Sequence, residues 1–241
     1  MSDEEKITIA EEIIAEVEPQ KPSKVLMVVT NVCEFDDEKH TKTGVWFEEF
    51  ALPYNELVKN GFDVKVATLT GEIAPIDPES ENLFEDIIWN DAKKALNDTD
   101  ALDTIDYTEF CALVLPGGHG PMFDLAKSEV LGKIVNHFNK EGRLIAAICH
   151  GPAGLLPAKV DGIPFVSGRK LTAFTNEEER IAKKDALTPF YLQDALLDEG
   201  ADFVEDEPGA VNVIEDGNLI TAQNFRSAKN FTKAILNYLS Y

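Results

Sequence analysis

The chain has 241 residues, enough for one large α/β domain or two small ones. Its 22 Lys+Arg stand against 44 Asp+Glu, a formal net charge of −22. A surface that negative repels phosphate backbones and anionic lipid, which argues against nucleic-acid and membrane-surface roles. No stretch reaches the roughly 18 apolar residues that a membrane span needs. The N-terminus has neither the basic nor the apolar region of a signal peptide, so none is expected. Three cysteines, Cys33, Cys111 and Cys149, are too few for a disulfide framework and point to a reducing cytoplasm.

Residues 1–22 read as an acidic arm that ends in Pro19 and Pro22, with Ile9, Ile13, Ile14 and Val17 near one face of a short helix. From residue 23 the pattern becomes that of a single domain, 23–241. Residues 25–30 are a buried strand. Residues 44–59 have helical spacing (Val45, Phe47, Phe50, Ala51, Leu57, Val58) with Pro53 inside, which predicts a kink or a break. A second strand spans 62–67. The stretch 71–106 is acidic and irregular except for 87–96, and reads as an insertion over one edge. A third strand, 110–115, runs into Pro116-Gly117-Gly118-His119-Gly120. A helix over 128–140 leads to a fourth strand, 143–148, which delivers Cys149-His150-Gly151-Pro152. Beyond it come a strand near 170–174, a helix near 188–198, a hairpin over 211–222 turning at Asp216-Gly217, and a closing helix, 226–239. This βαβαβ rhythm predicts a parallel sheet with helices on both faces.

In open parallel sheets, ligands bind beyond the C-terminal ends of the strands. Three polar groups fall there: the glycine-rich turn 116–120, the Cys149-His150 pair, and the acids after Phe174. Cys149 follows an apolar strand and precedes an abrupt turn with Pro152 at an early helical position, the pattern of a nucleophile elbow. A helix N-terminus beneath it would favour a thiolate, and an adjacent imidazole can take the thiol proton. Cys111 lies mid-strand and Cys33 in an acidic loop, so neither is expected to act. His40 and His137 read as surface or helix residues. The glycine turn lacks the Lys-Ser/Thr of a phosphate loop, so nucleotide binding is not indicated. Its backbone N–H groups can instead approach a ligand closely, and His119 could orient a substrate. Of Glu48 and Glu49, about 100° apart on a helix, one faces inward. Among Glu177, Glu178 and Glu179, acids of a first helical turn, the pattern does not say which faces the site.

Together these residues resemble the ThiJ/PfpI superfamily of class I glutamine-amidotransferase-like proteins. Within it they are most similar to the branch of glutathione-independent glyoxalase III enzymes and heat-shock chaperones. The resemblance covers about residues 24–239. It is carried by Thr43-Gly44-Val45-Trp46-Phe47-Glu48-Glu49, by the glycine turn, by Ala147-Ile148-Cys149-His150-Gly151-Pro152, and by Leu171-Thr172-Ala173-Phe174-Thr175. It implies a flavodoxin-like parallel sheet sandwiched by helices, with a small C-terminal β-hairpin. It also implies Cys149 as nucleophile, His150 as its partner, Glu179 as the acid that orients the histidine, and Glu49 as a carboxyl bonded to the thiol. Glu178 competes with Glu179 for its place.

The resemblance further implies an oxyanion and substrate site built on Gly117, Gly118, His119 and the His150 backbone. It implies no metal or organic cofactor, a small 2-oxoaldehyde substrate and a homodimer. The activity that follows is conversion of methylglyoxal to lactate through a Cys149 hemithioacetal, a lyase of the D-lactate dehydratase type. The alternatives are a stress holdase, to which Phe47, Phe50 and Phe62 could lend an apolar patch, and a cysteine peptidase or deglycase.

Overall fold

A computed structural model describes residues 24–81 and 89–240. The acidic arm and part of the 87–96 stretch lie outside the described residues. Strands β1 (Lys24–Val28), β2 (Asp63–Thr68), β3 (Asp100–Ala101), β4 (Ala112–Leu115), β5 (Leu144–Ile148), β10 (Val213–Asp216) and β11 (Leu219–Ala222) form one sheet in the order β10-β11-β5-β4-β1-β2-β3. Every neighbouring pair is parallel except the hairpin β10–β11. Helices α1 (Phe47–Lys59), α2 (Asn90–Leu96), α3 (Glu129–Lys140), α4 (Asn176–Ala182), α5 (Leu192–Asp198) and α6 (Ala228–Leu239) flank the sheet. The short pairs β6 (Lys159–Val160) with β7 (Ile163–Pro164), and β8 (Lys170–Leu171) with β9 (Asp202–Phe203), stand apart from it.

The central strands are apolar throughout because both faces are covered. Leu26, Leu113, Leu115 and Ile145 pack with Leu131, Ile134 and Phe138 of α3 on one side. Val25, Met27, Val114, Ala146 and Ile148 pack with Phe47 and Phe50 of α1 and Phe231 of α6 on the other. Phe47 and Phe50 are fully buried, so they cannot build the exposed patch that a holdase would need; truncating either to Ala would cost about 3–5 kcal/mol.

Three local expectations are corrected. Helix α1 runs from Phe47 to Lys59 without a break at Pro53. The proline lies buried on the core face, and what it removes is the bond its missing N–H would have made to the Glu49 carbonyl four residues earlier. The hairpin turns one residue later than its Asp-Gly pair suggests: Asp216 is still paired with Leu219, and Gly217, at φ 61°, opens the two-residue connection to Asn218. The 71–106 stretch also extends the sheet, since β3 pairs with β2, and its 74–80 portion is tied beside the start of α1 by the Val45–Ile76 bridge and the Val45 N–H bond to the Pro75 carbonyl, 2.7 Å.

Candidate active site

Cys149 stands at the tip of β5 with φ 58°, the left-handed conformation that costs an L-residue about 1–2 kcal/mol. Two backbone bonds hold it there. Its N–H donates to the Ala222 carbonyl at 2.9 Å, and its carbonyl accepts from the Phe174 N–H at 2.9 Å. Gly151 is required just beyond, because a Cβ there would strike the Leu115 carbonyl of the neighbouring strand. The sharp turn puts the Cys149 sulfur 3.3 Å from His150 Nδ1. Strand β5 and the turn after it thus bring the thiol and the imidazole together.

Helix α4 brings a carboxylate to the same place. Glu179 Oε2 is 2.7 Å from His150 Nε2, and its Oε1 is 2.8 Å from His119 Nε2. Burial by itself would raise this carboxyl, but the charge of His150 and the hydrogen bonds from both imidazoles hold it well below the usual carboxylate range. An ionised carboxylate only accepts, so both Nε2 atoms carry the proton. Nδ1 is then the ring nitrogen that His150 turns to the thiol. The Phe174 ring, 4.6 Å from the His150 ring, packs against it.

Glu178 has a separate task. It closes a capping box with Thr175, whose N–H it accepts at 3.0 Å while Thr175 Oγ1 accepts from the Glu178 N–H at 3.1 Å. Its other oxygen accepts from the Gly209 N–H at 2.9 Å and the Asn224 amide at 2.7 Å. With both oxygens engaged in the scaffold, Glu178 leaves the histidines to Glu179.

Glu49 comes from the first turn of α1 and is fully buried, whereas Glu48 is half-buried. Its Oε2 accepts the Gly117 N–H at 3.0 Å, and its Oε1 is buried with no hydrogen bond among the described residues. Gly117 is what lets the carboxyl reach the thiol: a Cβ there would lie 2.6 Å from Glu49 Oε2 and 2.7 Å from Cys149 Cβ. Burial raises the Glu49 carboxyl from 4.5 to about 8, against the hydrogen bonds from Cys149 and Gly117, which lower it. Burial likewise pushes the Cys149 thiol well up, the charge of Glu49 adds to this, and the Gly118 N–H bonded to the sulfur pulls the other way.

Two expectations change here. The element after Cys149 is a five-residue 3-10 turn, Gly151–Leu155, rather than an α-helix. A turn that short contributes little dipole, and burial with Glu49 alongside keeps the resting sulfur a thiol rather than a thiolate. Gly117 is also not free to serve as an oxyanion donor, because its N–H is bonded to Glu49 and its carbonyl accepts the Trp46 N–H at 3.1 Å. Gly118, at φ 87°, packs so closely on the Gly44 carbonyl that no Cβ would fit, and it is its N–H that faces the sulfur.

The remaining candidates stay apart from this cluster. Cys33 is exposed, and His40 bonds to Glu34 at 3.0 Å. The Cys111 thiol, raised to about 11 by burial, lies 3.2 Å from the Lys24 carbonyl. His137 packs edge-on against Tyr107. One residue escaped sequence reasoning: Asp77 is buried, accepts from Thr43 Oγ1 and the Glu79 N–H at 2.9 Å each, and acts electrostatically on His119. Its only signal was an Asp-Pro helix start, which reads as a cap rather than as part of a site.

His119, His150 and Glu179 bring three possible ligand atoms within 4.8 Å of one another. Their 2.7 and 2.8 Å separations are those of hydrogen bonds, whereas ligands held about 2.0 Å from a zinc ion in tetrahedral array stand about 3.3 Å apart. The trio as built is two imidazoles on one carboxylate.

Residues 42–238 match the DJ-1/PfpI family. The chain is 30% identical over 231 residues to glutathione-independent glyoxalase hsp3101 of Schizosaccharomyces pombe, covering 88% of this chain and 94% of that protein. Among solved structures it is similar to the 24 kDa rapid encystment protein of Francisella tularensis (TM-score 0.81, 30% identity, 88% of this chain and 96% of that one). It is also similar to glyoxalase III from Candida albicans (TM-score 0.79, 27% identity, 89% and 96%).

Proposed function

The chain belongs to the DJ-1/PfpI family, and from that premise we propose that it is a glutathione-independent glyoxalase, converting methylglyoxal to lactate through a covalent adduct on Cys149. The observation that carries the reading is the pairing at one sulfur: an imidazole nitrogen 3.3 Å away and a fully buried carboxyl, raised by that burial to about 8, on the same thiol. The first suits attack on an aldehyde. The second suits moving a carbon-bound proton, a task for which the best base has a pKa near the working pH.

In this mechanism the Cys149 sulfur bonds to C1 of methylglyoxal as its proton passes to His150 Nδ1. The carbonyl electrons move onto O1, which rests on the Gly118 N–H and then takes the proton from His150, giving a hemithioacetal. Glu49, through its unpartnered Oε1, removes the hydrogen from C1, and the electrons form a C1–C2 double bond and place charge on O2. Return of that hydrogen to C2 and transfer of the O1 hydrogen to O2 give the lactoyl thioester. Water then splits the C–S bond, releasing lactate and restoring the thiol. Oxidation at C1 and reduction at C2 balance within the substrate, so no outside oxidant is consumed.

The proposal extends to a cytoplasmic homodimer, in keeping with three free thiols and the family resemblance; none of the described helices is long and apolar enough to cross a membrane. The test is lactate formation from methylglyoxal without glutathione. The wild type should turn over and Cys149→Ala should not; a folded wild type that forms no lactate refutes the proposal.

A further inference from the structure

Isomerising the hemithioacetal moves two hydrogens, one from C1 to C2 and one from O1 to O2. Glu49 accounts for the first. His150 sits beside the sulfur and is used in its attack. A third base lies in the same cluster. His119, 6% exposed, occupies the turn whose Gly118 N–H faces the sulfur. Its ring centroid is 4.1 Å from that of His150 and 5.2 Å from that of Phe35. Its Nε2 donates to the second oxygen of the carboxylate that serves His150. Among the described residues no donor is bonded to its Nδ1.

We infer that His119 is a second acid–base catalyst of this site, carrying the O1 hydrogen to O2 while Glu49 carries the C1 hydrogen to C2. This rests on the glyoxalase reading and adds a residue to it. The step balances: Nδ1 takes the proton from O1–H as the C1–O1 double bond forms, and the same proton passes from Nδ1 to the charged O2. Nothing else is consumed. Glu179 holds both rings by Nε2, so each keeps Nδ1 for proton transfer, one at the sulfur and one at the substrate oxygens. Burial, with the charge of His150, lowers His119 below its ordinary value, which keeps the ring neutral and its lone pair available.

The test is His119→Gln, whose amide can stand where Nε2 stands and keep the bond to Glu179 while removing Nδ1. Two rates are read: steady-state lactate formation, and alkylation of Cys149 by iodoacetamide, which depends on the Cys149–His150–Glu179 arrangement but involves no isomerisation. The expected result is a fall in kcat of roughly 100-fold with alkylation within about twofold of wild type. Loss of both rates would make His119 only a support for Glu179, and loss of neither would make it idle; either overturns the inference. A wild type that forms no lactate fails the glyoxalase reading itself, and is seen before any variant is compared. Should His119→Gln not fold, His119→Ala with imidazole in the buffer decides: restored turnover supports the inference, and no restoration overturns it.

Discussion

Replacing Glu49 by Gln should change how stability depends on pH. The folded chain holds this carboxyl at about 8 against an ordinary 4.5, chiefly through burial. At about 1.4 kcal/mol for each pH unit, ionising it inside the fold costs on the order of 5 kcal/mol. The sign follows from proton uptake. Between pH 4.5 and about 8 the native state keeps a proton that the unfolded state has lost, so wild-type stability falls as pH rises through that window. Gln cannot ionise and lacks this loss. It brings its own cost, an amide without a partner at the Oε1 position, of about 1–3 kcal/mol, but that cost does not vary with pH. Thermal melts of both proteins at pH 5 and pH 8 provide the assay. At about 2–4 °C per kcal/mol for a domain of this size, the Gln variant should gain on the wild type by on the order of 10 °C between the two pH values. Parallel curves would show that Glu49 is ionised in the fold, and would refute the proton-transfer role that depends on its raised pKa.

Two further outcomes separate catalysis from support. Glu179→Gln should reduce lactate formation by about 100-fold or more, because the carboxylate that fixes both imidazoles is lost. Glu178→Gln should leave turnover within a few-fold of wild type and lower stability by about 2–3 kcal/mol, because an amide would face the Thr175, Gly209 and Asn224 donors; chemical denaturation with a lactate assay reads both. Gly117→Ala should cost about 1–3 kcal/mol by crowding and lower activity, since its Cβ would press on Glu49 Oε2 and the Ile148 carbonyl, 2.8 Å away.

The sheet and its elbow were readable because local and global signals agree. Continuous apolar strands demand helices on both faces, and Cys149-His150-Gly151-Pro152 after such a strand leaves room only for a tight turn. The choice between Glu48 and Glu49 was not readable, because it depends on how α1 is rotated against the sheet. The same holds for Glu178 and Glu179, neighbours in one helical turn whose tasks are set by which partners the segments flanking the β10–β11 hairpin bring, Gly209 before it and Asn224 after it. The resemblance put Glu49 and Glu179 in their places, and the geometry brings both to the Cys149–His150 pair. The thiolate expectation failed because a sequence pattern shows a possible helix start but not the burial that outweighs it. Asp77 escaped for a related reason: its contact with Thr43 joins positions 34 apart in sequence.

The central claim, that the substrate is rebuilt as an acyl group on Cys149, is tested most directly by rapid mixing of wild-type enzyme with methylglyoxal, acid quench and peptide mapping. A thioester survives acid, whereas a hemithioacetal falls apart. The account predicts a lactoyl group on the Cys149 peptide, rising before lactate appears and absent from Cys33 and Cys111. Lactate formed at every time point with Cys149 unmodified would contradict it.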